Sequence, residues 1–276
     1  MTRRSFLPAL AAPALASGAP ATARKGRLKQ CVTRGCFGRG MSLDQMCREA
    51  ARLGVVGFDL IGPQDWPTLK AHGLLPTMVP SGSTIRDGIN RVENHTRIEA
   101  AVRESIDQAA AVGAPNVILL SGERKGLSDE KGLDNCVLFM NKVKAHAEDK
   151  GVTLCLELLN SKVNHPDYQC DHTPWGVEVC KRAGSPRIKL LYDIYHMQIM
   201  EGDVIRTIRE NIAYIGHFHT AGVPGRHEID DRQELNYAPI AKAIVETGFT
   251  GYLAHEYSPT KDALPSLDEA LRICDV

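Results

Sequence analysis

From about residue 27 to the end, the chain alternates between two hydrophobic patterns. Short runs of apolar and β-branched residues stay apolar until their last positions, as strands buried on both faces do. The longer segments between them repeat apolar residues every three or four positions, the mark of a helix with one buried stripe. Strands are predicted at Leu28–Phe37, Gly57–Ile61, Leu75–Val79, Asn116–Ser121, Val152–Leu159, Ile188–Tyr195, Ile212–Ala221 and Gly251–Tyr257. Helices are predicted at Ser42–Leu53, Pro63–His72, Thr96–Val112, Ser128–Lys150, Thr173–Ala183, Asp203–Glu210, Tyr237–Thr247 and Leu264–Cys274. Ser42 stands at an N-cap position with Asp44 in the first turn. A long polar loop, Pro80–Asn94, follows the third strand.

Strict alternation of strand and helix implies a parallel sheet, either an open doubly wound sheet or a closed barrel. No Gly-x-Gly-x-x-Gly follows the first strand and no Gly-x-x-x-x-Gly-Lys-Ser/Thr loop occurs. Eight units without a phosphate loop favour a single-domain α/β fold, the (β/α)8 TIM barrel, which typically uses ~250 residues. That domain is assigned to residues 24–276.

The first 23 residues read as an address rather than as fold. Arg3-Arg4-Ser5-Phe6-Leu7 leads into an Ala-rich apolar run, Pro8–Ala16, followed by two Ala-x-Ala sites ending at Ala16 and Ala23. This is the layout of a signal peptide, here of twin-arginine type, and predicts an exported, periplasmic protein. The apolar run is shorter than the ~20 residues a bilayer span needs, so stable membrane insertion is not expected.

Composition narrows the function classes. Lys+Arg and Asp+Glu both number 33, for a formal net charge of zero. A nucleic-acid partner calls for a basic excess or stripe, so small-molecule chemistry is the better expectation. The eight cysteines form no Cys-x-x-Cys pair and are read as unpaired thiols, some buried like small hydrophobes. Homo-oligomer formation stays open, because no interface is visible in the sequence.

In a barrel of this kind, chemistry gathers where the strands end. Strands five to eight each place a metal-binding side chain there: Glu157, Asp193, His219 and Glu256. Three carboxylates and an imidazole on one rim would repel without a cation, and a divalent metal resolves this. A mixed oxygen and nitrogen set suits Mn2+ or Mg2+ and tolerates Co2+. His217 lies two before His219 on the same strand face, one layer deeper, and is read as a buried core histidine. His255 should face the opposite side and is assigned no role.

These residues resemble the xylose-isomerase-like barrel superfamily, with its single-metal ketose isomerases and epimerases. Gly225-Arg-His-Glu-Ile-Asp-Asp-Arg-Gln-Glu-Leu-Asn-Tyr237 is similar to the loop after strand seven of hydroxypyruvate isomerases. Glu157-Leu-Leu-Asn160 and Tyr192-Asp-Ile-Tyr-His196 fit that family as well. The resemblance implies that Glu157, Asp193, His219 and Glu256 bind one metal, and that Glu157 and Glu256 double as the acid–base pair. It implies that His196 and Arg226 hold substrate oxygens and that Glu228, grouped with the substrate-binding residues, organises the loop. The implied reaction is isomerisation of a small hydroxy-carbonyl compound through an ene-diolate. Histidine at 219, where bacterial hydroxypyruvate isomerases are expected to carry glutamine, is more like the ketose 3-epimerase branch. An inositol-ring dehydratase shares the same metal site. A repair endonuclease would need further ligands and a basic face, and a periplasmic sugar-binding protein would need no aligned carboxylates.

Overall fold

The computed structural model describes residues 23–276. The signal peptide expected over residues 1–23 therefore falls almost wholly outside the described residues. The eight apolar runs form eight parallel strands: β1 (Lys29–Val32), β2 (Gly57–Asp59), β3 (Leu75–Met78), β4 (Asn116–Leu119), β5 (Thr153–Glu157), β6 (Ile188–Asp193), β7 (Ile215–Thr220) and β8 (Tyr252–His255). Their order is β3-β2-β1-β8-β7-β6-β5-β4. The seam between β3 and β4 is bridged by Val79, whose N–H donates to Asn116 O at 2.9 Å and whose carbonyl accepts from Ile118 N at 3.0 Å. Sequential crossovers with a helix between strands bring the sheet round into the predicted TIM barrel.

The helices are α1 (Leu43–Arg52), α2 (Trp66–Ala71), α3 (Val92–Val112), α4 (Asp129–Lys150), α5 (Thr173–Ala183), α6 (Ile194–Met200), α7 (Val204–Asn211), α8 (Tyr237–Glu246) and α9 (Ala263–Ile273). Ser42 caps α1 as expected: its Oγ accepts from Gln45 N at 3.3 Å while Gln45 Oε1 accepts from Ser42 N at 2.8 Å. Several predicted boundaries move, among them the start of α3, at Val92 rather than Thr96, and the end of β5, at Glu157 rather than Leu159; three have a clear local cause. β1 stops at Val32 because Arg34–Phe37 turns into a single 3-10 turn, and 212–214 does the same ahead of β7. β6 stops at Asp193 because that side chain caps α6, a short helix the apolar pattern had merged into the strand.

Most of the core lies between the barrel wall and the helices. Inside the barrel, Met78, Ile118, Cys155 and Leu191 form a small apolar plug beneath the rim. All eight cysteines are buried and unpaired, as the sequence led one to expect. Among the described residues no helix is long and apolar enough to cross a membrane.

Candidate metal and active site

Strand register delivers the four predicted ligands to one place. Glu157 ends β5, Asp193 ends β6 directly beside His219 of β7, and Glu256 follows β8 by one residue. Alternate residues of a strand share a face, so Asp193 and Leu191, or His219 and His217, point into the barrel in layers. One donor atom from each of Glu157, Asp193, His219 and Glu256 lies within 4.8 Å of the others. From His219 Nδ1, Glu256 Oε2 is 2.7 Å away, Glu157 Oε1 3.5 Å and Asp193 Oδ2 4.0 Å.

Two local features aim these groups. Asp193 uses Oδ1 as the N-cap of α6, accepting from Tyr195 N at 2.9 Å and His196 N at 3.3 Å, which leaves Oδ2 facing His219 and Arg226. His219 is held from behind by Asp59 of β2, whose Oδ2 accepts from His219 Nε2 at 3.0 Å and from His217 Nε2 at 2.6 Å. His217 is the buried core histidine expected, with a carboxylate for its partner.

Charge at the site is unevenly held. Burial pushes Glu157 and Asp193 above the usual carboxylate range, offset in part by His219 and, for Asp193, by Arg226. Burial opposes ionisation of Glu256 too, but His219 and Arg226 outweigh it and bring that carboxyl down to about 2. Burial likewise disfavours the His219 imidazolium, yet Glu256 and its other carboxylate neighbours hold the ring well above its ordinary value. Burial works against charge on Asp59, and the two histidines overcome it and keep that group low.

The donor set fits a divalent cation. Ligands at ~2.0–2.3 Å from one ion stand at most roughly 4.6 Å apart, and the four groups, all within 4.8 Å of one another, are close to that limit. His219 Nδ1 is fully buried without a hydrogen-bond partner, although Glu256 lies close. With Nε2–H given to Asp59, Nδ1 is the nitrogen that faces the carboxylates, and it would be the bare one once a cation takes the place of the proton they favour.

Arg226 sits on this cluster. Its Nη2 donates to Asp193 Oδ2 at 3.1 Å and to Glu256 Oε2 at 2.8 Å, its Nε is buried without a partner, and its backbone is left-handed, with φ 59°. His196 is fully buried; its Nδ1 accepts from Asn160 N at 3.0 Å, so the proton resides on Nε2, which has no hydrogen-bond partner and lies 3.6 Å from Asp193 Oδ2. Glu228 spends its carboxylate on the next loop, accepting from Thr260 N at 2.7 Å, Thr260 Oγ1 at 2.9 Å and Lys261 N at 3.1 Å.

A cavity of about 290 Å³ opens onto Glu157, Glu256 and Arg226, walled by Leu60, Ser83 and Leu120. His165 lines it as well, its ring 5.3 Å from that of His196. Sequence reasoning missed both Asp59 and His165. Asp59 carried a legible signal, a carboxylate inside the apolar run Gly57-Phe-Asp-Leu-Ile61, whereas His165 sits in an irregular loop with no periodic cue. A larger hollow of about 590 Å³ at the opposite barrel end is lined by Lys29, Arg187 and Lys189 and by no carboxylate; it lies away from the converging ligands.

A family model described as xylose isomerase-like TIM barrel matches residues 68–274. A 2-oxo-tetronate isomerase of Cupriavidus necator is 40% identical over 94 residues, 34% of this chain and 36% of that protein. A putative hydroxypyruvate isomerase of Homo sapiens is 32% identical over 108 residues, 39% of each chain. The matched stretches span well under half the length of either relative. The crystal structure of an AP endonuclease, family 2, from Brucella melitensis superposes with a TM-score of 0.80 at 24% identity, covering 87% of this chain and 96% of that one, a likeness of fold.

Proposed function

The chain belongs to the xylose isomerase-like TIM barrel family, and from that premise we propose that it is a metal-dependent isomerase of a small 2-oxo hydroxy acid, of the hydroxypyruvate or 2-oxo-tetronate type. The observation that carries this reading is the convergence of Glu157, Asp193, Glu256 and the unpartnered Nδ1 of His219 from four successive strands. The two isomerase relatives, acting on acids of this kind by their names, support the substrate class.

In this reading the four side chains hold one divalent cation, Mn2+ or Mg2+ foremost. The cation, when bound, acts as a Lewis acid and template for the carbonyl and neighbouring hydroxyl oxygens. Glu157 and Glu256 stand on two sides of the cluster and serve as the pair that removes a proton from one carbon and returns it to the next. His196 Nε2–H and Arg226 Nε–H, both buried and unpartnered, supply donors to substrate oxygens as charge develops there. Glu228 stiffens the loop that carries Arg226 by bonding the backbone of Thr260 and Lys261. On the strength of Arg3-Arg4-Ser5-Phe6-Leu7 and the Ala-rich run, we place the enzyme outside the cytoplasm.

The test is an assay of Mn2+-loaded protein in deuterated water with hydroxypyruvate, 2-oxo-tetronates and a panel of ketoses. Conversion of the 2-oxo acid into its 2-hydroxy-3-oxo isomer, with deuterium entering C2, the former carbonyl carbon, is the expected result. Turnover confined to ketoses with inversion at one carbon would replace this reading by the 3-epimerase one, which histidine at 219 favours. No turnover and no bound metal would end both.

A further inference from the structure

We propose that Asp59 is a positioning residue for His219, fixing which imidazole nitrogen is offered to the cation; the inference rests on the metal-site reading above. Asp59 ends β2, on the far side of the barrel from β5 and β6, and is 1% exposed. It is not one of the carboxylates that converge at the rim. Its Oδ2 receives Nε2 of His219 at 3.0 Å and Nε2 of His217 at 2.6 Å, and its Oδ1 accepts from Thr77 Oγ1 at 2.5 Å.

A carboxylate only accepts, so both rings must carry a proton on Nε2 to make these contacts. The row continues in the same sense: His217 Nδ1 faces the Asn116 amide nitrogen, a donor, at 3.4 Å, and that amide also donates to Thr77 O at 3.0 Å. A neutral His219 held this way turns its bare Nδ1 toward Glu157, Asp193 and Glu256. The opposite tautomer would set a proton against the ion and a lone pair against Asp59. With a cation on Nδ1 the arrangement would become a carboxylate–histidine–metal triad, in which the outer carboxylate sets ring orientation and ligand basicity. Sharing one oxygen with His217 and the other with Thr77 leaves Asp59 no freedom to rotate away.

The test uses the full chain stripped of metal with a chelator and titrated with Mn2+, free ion being followed by electron paramagnetic resonance. Asp59→Asn keeps the shape but exchanges one acceptor for a donor. It is expected to weaken Mn2+ binding by roughly 10- to 100-fold, the usual scale for loss of an outer-shell partner. Thr77→Val, which only loosens Asp59, is expected to lose less in the same direction. In Zn2+-loaded wild type, 15N spectra of labelled histidines should show His219 protonated on Nε2. A folded Asp59→Asn variant with Mn2+ affinity close to wild type would overturn the proposal, since a packing role would cost thermal stability alone. If Asp59→Asn does not fold, unchanged affinity in Thr77→Val does the same, as does an Nδ1–H signal for His219. A wild type that takes up no divalent cation would overturn the metal reading itself and this inference with it.

Discussion

Asp193 meets two demands with two oxygens, one spent on the first turn of α6 and one on the rim. Glu157 and Glu256 carry a comparable pair of demands, negative charge for a cation and proton affinity for chemistry. Replacing either with glutamine keeps the size and one oxygen but removes the base. We expect Glu157→Gln and Glu256→Gln to fold and to retain Mn2+ while kcat falls at least ~100-fold, the lower end for lost general acid–base catalysis. Near-wild-type turnover in both, with metal bound, would show that the proton moves elsewhere. All four converging rim residues were legible in the sequence because each places a polar side chain at the end of its strand. Asp59 ends its strand in the same way but stayed unread, because its meaning depends on a contact across 160 residues that exists only once the sheet has curled round. Arg226 and His196 were legible through resemblance alone; neither sits in a periodic position that would announce it.

The alternation of elements was plain from hydrophobic period, while their limits were not. A strand that runs into a helix without a turn residue, as β6 runs into α6, gives a continuous apolar stretch, and only the capping geometry of Asp193 divides it. The loop before α3 shows how an irregular segment is nonetheless fixed. Ile89 N donates to Leu120 O at 3.2 Å and Asn90 N to Ser121 O at 2.8 Å, so residues 88–90 lie along the end of β4 almost as another strand. A Cβ on Gly88 would meet Ser121 C at 2.2 Å and Gly122 N at 2.3 Å, backbone on backbone. We therefore expect Gly88→Ala to push this loop off the barrel and disturb the cavity wall that Ser83 forms. Overpacking of this kind costs ~1–3 kcal/mol, which for a chain this long lowers Tm by several degrees. A rise in KM should accompany it, and thermal unfolding beside steady-state kinetics checks both. An unchanged Tm would mean that the loop has room the geometry does not show.

For the molecule as a whole, the groups that burial forbids to ionise set the response to pH. His255 is fully enclosed, with Nδ1 2.8 Å from Thr220 Oγ1 and Nε2 3.0 Å from Gln30 Oε1, and burial, aided by the charge of Arg24, depresses it to about 3. Unfolded histidine takes up its proton near ~6.5, so between that value and about 3 the unfolded chain binds a proton that the native chain refuses. This contribution to stability is complete above ~6.5 and drains away as pH falls, by ~1.4 kcal/mol per unit. Measured by urea unfolding across this range, wild type should lose ground steadily to His255→Gln, and parallel curves would refute the assignment. Burial acts on sulfur in the same way. It pushes all eight thiols up, Cys36 and Cys47 to about 11, Cys180 and Cys274 to about 12 and the others in the same direction. Only a thiolate attacks an alkylating reagent, and here the thiolate is both suppressed and walled off. The folded barrel is thus chemically mute toward such reagents, and each molecule that opens answers eight times over, which makes the pace of alkylation a clock for how often the barrel comes apart.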